Sequence, residues 1–162
     1  MIIELKNIRH QESLSEETNC FTADLIIDGQ KIGTVGNRGT GGADEFHGDL
    51  AEYRRADRWC RENKPKWKMG QVEGETDLEM VCADLVEEDL VRRDMGKAMR
   101  RAVIAVLPNK TGLYELRPRP GLKSSDPDFI AACKCAHPTA TLLNTLPEAE
   151  ALRLFRMGAF HP

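Results

Sequence analysis

The pair Asp28-Gly29 constrains the fold of this chain more than any other feature, because apolar and β-branched residues lie on both sides of it. Leu25, Ile26 and Ile27 form the run before the pair, and Ile32 and Val35 follow it. Glycine tolerates the positive φ that a two-residue hairpin turn requires. The sequence therefore predicts two antiparallel strands joined at this point.

A third strand and a loop complete the predicted amino-terminal segment. Residues 2–8 alternate and predict a strand, so residues 1–35 form a three-strand meander with a polar insertion at residues 11–19. Residues 36–47 contain four glycines, and we expect this stretch to be a loop that leads into a helix.

The rest of the chain predicts helices and a second hairpin. Helical spacing covers residues 50–63, and Thr76 with Glu79 matches a capping box before a long helix that Gly96 interrupts. The expected fold is a single α+β domain, in which the meander and the second hairpin form antiparallel sheet and about four helices pack on it. Its predicted segments are residues 1–47 (meander and glycine-rich loop), 48–101 (helical) and 102–162 (hairpin, helix, strand, helix).

Charge is unevenly distributed along the chain. The net charge of −3 favours neither nucleic acid nor membrane as a partner. Residues 73–89 nevertheless contain only acidic charges, and they are followed by a basic run at residues 92–101. The acidic run could meet a basic, nucleic-acid-binding surface of a partner by imitating phosphates, although a solvated helix face is the commoner explanation of such a run. Its candidate contact residues are Glu73, Glu75, Asp77, Glu79, Asp84, Glu87 and Glu88.

The loop supplies a second group of candidates. Its glycine spacing fits neither the phosphate loop nor the dinucleotide fingerprint. Carboxylates and an imidazole this close in sequence can bind a divalent ion or act as acid and base, although acidic residues are also typical of a first helical turn. The loop candidates are Asn37, Arg38, Asp44, Glu45 and His47.

Cysteine usage indicates a reduced, cytoplasmic protein, since the count of five is odd and no signal peptide or apolar run of bilayer length is present. We expect Cys20 and Cys82 to be core or half-core residues. Cys133, Cys135 and His137 suggest zinc, with Cys20 or His161 as a fourth ligand. The C-x-C spacing argues against zinc, because these cysteines lie about 200° apart on a helix.

Two other classes of function remain open at this point. Two basic runs, residues 54–68 and 92–101, could hold nucleic-acid phosphates, although most such runs are solvated helix faces. The basic helix at residues 50–63 would do so through Arg54, Arg55 and Arg58, with Lys66 nearby. A metal-dependent or hydrolytic enzyme could be centred on Asp44, Glu45 and His47. No Ser-His-Asp arrangement or cofactor motif is found, so we assign no catalytic residue and no cofactor.

Three stretches resemble small proteins encoded by tailed bacteriophages and prophages. They are the opening IELKNI, the ETNCF…DG…GTVGN…GGxxxxH stretch and the ending HPTATLLNTLPEAEALRLF. The resemblance supplies no catalytic residue, but accessory phage proteins of this size often bind and block host machinery. It implies a protein that acts in the bacterial cytoplasm by binding a protein partner, such as a CRISPR-Cas defence complex.

Overall fold

The computed structural model describes residues 1–159 and confirms an α+β fold with four helices and antiparallel sheet. The chain divides into two compact units, Met1–Asp89 and Leu90–Pro162, with the boundary inside the longest helix. The single-domain organisation therefore stays a prediction.

A four-stranded antiparallel sheet forms most of the first unit. Its strands are β1 (Ile3–His10), β2 (Phe21–Ile27), β3 (Gln30–Asn37) and β4 (Glu45–Gly48), in the spatial order β1-β2-β3-β4. Ile27 pairs with Gln30 across the predicted turn, where Asp28 and Gly29 have φ angles of 49° and 84°. The Asp28-Gly29 hairpin is therefore confirmed.

The sheet has one strand more than the predicted meander, and the predicted loop at residues 36–47 was wrong at both ends. Gly36 and Asn37 belong to β3, and β4 pairs with β3 beyond the loop. Phe46 explains the additional strand: its ring lies over Gly33, where a Cβ would meet the ring at 2.7 Å, and stacks on Tyr53 at 4.6 Å. A strand of four residues leaves too short an alternation for the sequence to reveal.

Helix α1 (Leu50–Asn63) follows β4 directly. The Asp49 carboxylate caps it by accepting hydrogen bonds from the amides of Ala51 and Glu52. A small hairpin of β5 (Trp67–Met69) and β6 (Val72–Gly74) then forms within the segment that we predicted as helical.

Helix α2 (Leu78–Arg101) begins differently from the predicted capping box. Asp77 is the capping residue, because its carboxylate accepts from the Met80 amide and its carbonyl from the Val81 amide. The Thr76 hydroxyl donates instead to the Pro65 carbonyl. The predicted break at Gly96 was also wrong: the helix continues through it, and a glycine costs a helix only about 1 kcal/mol.

The second unit contains the other predicted hairpin, formed by β7 (Val103–Val106) and β8 (Tyr114–Leu116). Strand β9 (Thr141–Leu142) pairs with the opposite edge of β7, so the order is β8-β7-β9. Helices α3 (Pro127–Ala136) and α4 (Glu148–Ala159) complete the unit. Buried residues of two clusters form its core: Met95, Ala98, Ala102, Ile104, Leu143 and Ala151 in one, and Val103, Ala105, Cys133, Ala140 and Leu142 in the other.

Two polar side chains close the carboxyl end of α2. The buried Ser124 hydroxyl donates to the carbonyls of Met99 and Arg100. Asn144 donates to the carbonyls of Met99 and Ala102 and accepts from the Ile104 amide at 2.8 Å. Asn144 therefore has a structural role at the end of α2.

Candidate functional site

Asn37 organises the loop that forms the candidate site. Its side chain is 8% exposed and makes four hydrogen bonds, which is the full capacity of an amide. Its oxygen accepts from the Thr18 hydroxyl at 2.7 Å and from the Gly39 amide at 2.8 Å. Its nitrogen donates to the Gly42 carbonyl at 2.8 Å and to the Asp44 carboxylate at 2.9 Å.

Gly39 joins the loop to the polar insertion of the first unit. Its carbonyl accepts hydrogen bonds from three consecutive amides, those of Glu16, Glu17 and Thr18. Its φ is +87°, and an added Cβ would overlap the Leu14 carbonyl oxygen. This glycine therefore permits a close backbone approach and does not form an anion cradle.

An acidic cleft lies on the side of the loop that faces the start of α2. Its volume is about 570 Å³. Three acids line it, Asp44 from the loop and Asp77 and Glu79 from the start of α2, beside Asn37. The apolar part of the lining consists of Phe21, Met80, Ala83 and Val86. The cleft can accordingly hold a side chain that combines an apolar stem with a positive charge.

Asp44 is the most perturbed group in the cleft. Its pKa is raised to about 6, mainly by burial and also by the charges of Glu79 and Asp77, against the opposing effect of the hydrogen bond from Asn37. Its Oδ1 accepts from Asn37, whereas its buried Oδ2 has no hydrogen-bond partner. A buried oxygen without a partner is costly, so the folded protein favours any donor that reaches it.

The three acids of the cleft differ in how their charge is compensated. Arg61 lies 3.5 Å from Asp77 and also pairs with Asp57 at 2.9 Å. Glu79 accepts the Asp44 backbone amide at 3.1 Å. Within residues 1–159, no lysine or arginine lies within ion-pair distance of Asp44 or Glu79. These two carboxylates are the part of the cleft that a cationic ligand would neutralise.

The structure separates the loop candidates that the sequence placed together. Glu45 and His47 alternate with Phe46 along β4, so they lie on the opposite face of the sheet from its ring. There they line a shallow depression with Arg38, which pairs with Glu45 at 2.7 Å. Asp44 lies in the acidic cleft instead. In the part of the chain that the structure describes, no three His, Cys, Asp or Glu side chains are placed to hold one metal ion.

The acidic run is likewise distributed over several places. Only Asp77 and Glu79 of its members line the cleft. Glu73 pairs with Lys68 at 3.5 Å in the small hairpin, and Glu75 lies 3.7 Å from Arg61. The remaining members, on α2, are Asp84, which is exposed, and Glu87 and Glu88, which are half-buried.

The other candidates fall outside this site. Cys20 is half-buried and Cys82 is fully buried, as expected of core residues. Cys133 is buried and Cys135 exposed at the end of α3, while His161 lies outside the described residues. In the basic helix, Arg55 pairs with Glu52 at 2.7 Å and lies 3.9 Å from Asp28.

Asp44→Asn tests the electrostatics of the cleft. Because the pKa of Asp44 is raised in the folded protein, the wild-type free energy of unfolding falls as the pH rises from about 4 to about 6. The variant lacks this loss, so we expect it to match wild type near pH 3.5 and to exceed it by up to about 2 kcal/mol at pH 7, after allowance for solvent screening. Urea denaturation across this pH range measures the difference. Equal stabilities at pH 7 would contradict the expectation.

Comparison of the chain with models of protein families, with curated proteins and with solved structures finds no match. No helix among residues 1–159 has the length and apolar character needed to cross a membrane. The candidate site therefore rests on its own geometry: a cleft that combines an apolar wall with carboxylates lacking a cationic partner.

Proposed function

We propose that this protein acts by binding a protein partner, and that the acidic cleft receives a lysine or arginine side chain from a basic surface of that partner. The observation that carries the proposal is that the carboxylates of Asp44 and Glu79 line the cleft and have no lysine or arginine partner among the described residues. A cation would lower the energy of both carboxylates, and the apolar wall would contact its aliphatic stem.

The net charge of the first unit supports the same class of partner. Residues 1–89 carry twenty acidic and eleven basic side chains. A field of this sign speeds the approach of a basic surface and disfavours acidic ones. Proteins that bind nucleic acids present such basic surfaces, so a complex of that kind is the partner class we propose.

The resemblance to phage proteins extends the proposal to the biological setting. A phage-encoded binding protein would act on host machinery in the bacterial cytoplasm, for example by inhibiting a CRISPR-Cas complex. A plaque assay with and without the gene, on hosts that carry defined defence systems, tests this part. Improved plating on one such host supports it, and unchanged plating on all of them contradicts it.

A paired substitution tests the cleft itself. Asp44→Asn with Glu79→Gln removes two charges while it preserves shape, since the amide oxygen introduced at position 79 can still accept the Asp44 backbone amide. The matched control is Glu4→Gln with Glu62→Gln, two exposed acids outside the cleft. We expect the cleft pair to weaken binding of a labelled hexa-arginine peptide at least about tenfold, because charge-assisted contacts contribute about 1.5–3 kcal/mol.

The control pair should change the affinity by less than about twofold, because exposed charges contribute little. Fluorescence anisotropy at pH 7.5 measures both variants against wild type. Equal losses in the two variants would show that only net charge matters and would contradict the cleft. The same two variants, used as bait in a bacterial lysate, then identify partners whose capture depends on Asp44 and Glu79.

A further inference from the structure

The second unit has the opposite charge balance from the first. Residues 90–162 carry twelve basic and six acidic side chains. Three of the bases, Arg100, Arg119 and Lys123, are exposed and have no ion-pair partner among the described residues. A surface that concentrates positive charge in an otherwise acidic protein requires an explanation of its own.

Contacts within the unit bring these bases together. Ser124 donates to the Arg100 carbonyl at 3.0 Å, so the loop residue Lys123 lies beside the end of α2. At the other end of the loop, Glu115 pairs with both Arg101, at 3.4 Å, and Arg117, at 2.8 Å. The loop at residues 117–124 therefore begins beside the ion pairs of Glu115 with Arg101 and Arg117, and it ends at the carboxyl end of α2.

Five bases form the resulting basic surface: Arg100, Arg101, Arg117, Arg119 and Lys123. Glu115 pairs with two of them, and Asp126, whose amide donates to the Lys123 carbonyl at 3.1 Å, follows at the start of α3. Bases at the carboxyl end of a helix interact favourably with the partial negative charge of the helix dipole. This effect accounts for Arg100 and Arg101 at the end of α2. The dipole does not account for the three bases of the loop. These extend the positive charge beyond the helix.

We propose that this basic surface binds the phosphate backbone of a nucleic-acid duplex, independently of the acidic cleft. Four of the five bases are arginines, whose planar guanidinium groups match phosphate oxygens in pairs. No aromatic side chain is exposed among residues 90–159, as stacking on single-stranded bases would require. The exposed large apolar side chains there are only Leu122 and Met157, fewer than a membrane-inserting surface presents.

The sequence suggested two basic runs, and the proposed surface includes the end of the second, residues 92–101. In helix α1, within the first run, Arg55 and Arg61 are engaged with neighbouring carboxylates, and the surrounding unit is strongly acidic. Nucleic-acid contact is therefore assigned to the end of α2 and the loop that follows β8.

The test is fluorescence anisotropy of the full-length protein with a labelled 20-base-pair DNA duplex of random sequence, at 20–200 mM salt. We expect log Kobs to fall against log salt with a slope between about −3 and −5, as for four or so phosphate contacts. Arg119→Glu with Lys123→Glu should weaken binding at 50 mM salt at least about tenfold and reduce the slope by about 2.

Arg54→Glu with Arg58→Glu makes the same charge change on α1 and is the matched control. It should weaken binding less than about threefold, because it makes the same change in net charge but leaves the five bases of the surface unchanged. The melting temperature of each variant shows that it folds. Absent binding at 20 mM salt, equal losses in the two variants, tighter binding to the single strand, or preference for vesicles with 30% phosphatidylserine would each overturn the proposal.

Discussion

Gly39→Ala is expected to destabilise the first unit by about 4 kcal/mol or to prevent it from folding. The positive φ of +87° alone costs an alanine about 1–2 kcal/mol. The added Cβ would also overlap the Leu14 carbonyl oxygen and lie 3.0 Å from the Cys20 Cβ. Relief of that overlap would break the hydrogen bonds that the Gly39 carbonyl accepts.

Gly29→Ala separates the two causes. Its φ is +84°, nearly the same, but an added Cβ there would meet nothing within 4 Å. We expect this control to lose only about 1–2 kcal/mol. Tryptophan fluorescence during urea denaturation measures both variants, since Trp59 and Trp67 both belong to the first unit. Equal losses of stability in the two variants would show that the close backbone approach at Gly39 contributes nothing to the free energy of unfolding.

Asn37→Asp is the second large effect that we expect, at about 3–4 kcal/mol at pH 7. The substitution replaces a donor with an acceptor that faces the Gly42 carbonyl and the Asp44 carboxylate, so two hydrogen bonds become repulsive contacts. The loss should shrink in acid, because protonation of either carboxyl group restores a donor.

Asn109→Asp is the matched control, since Asn109 lies in an exposed turn with a φ of 62° that aspartate tolerates. It should change stability by less than about 0.5 kcal/mol. Urea denaturation at pH 7 and pH 4, followed by far-ultraviolet circular dichroism because this signal reports both units, compares the two variants. An Asn37→Asp protein as stable as wild type at pH 7 would contradict the central role of Asn37 in the loop.

Local signals account for the parts of the fold that could be predicted. The Asp28-Gly29 turn and the helix over residues 50–63 are specified by residues close in sequence. Strand β4 could not be predicted, because its place depends on the fit of Phe46 over Gly33. That fit joins residues of different strands and leaves no periodic pattern.

The candidate site shows the same limit. The sequence placed Asp44, Asp77 and Glu79 among the candidate contacts, because acidic residues are conspicuous there. The sequence grouped Asp44 with His47, however. It could not show that β4 begins at Glu45, so that alternate side chains along the strand lie on opposite faces of the sheet. The sequence also could not show that the Asn37 side chain makes four hydrogen bonds, since its four partners come from separate parts of the loop and the insertion.

The most direct test of the acidic cleft is a pH titration of the Asp44 carboxyl carbon by NMR, with and without the hexa-arginine peptide. We expect a pKa of about 6 in the free protein, because Asp44 is buried beside Glu79 and Asp77. The pKa should fall when the peptide binds, because a cation favours the charged carboxylate. An ordinary pKa near 3.8 in the free protein, or a pKa that saturating peptide leaves unchanged, would contradict the account.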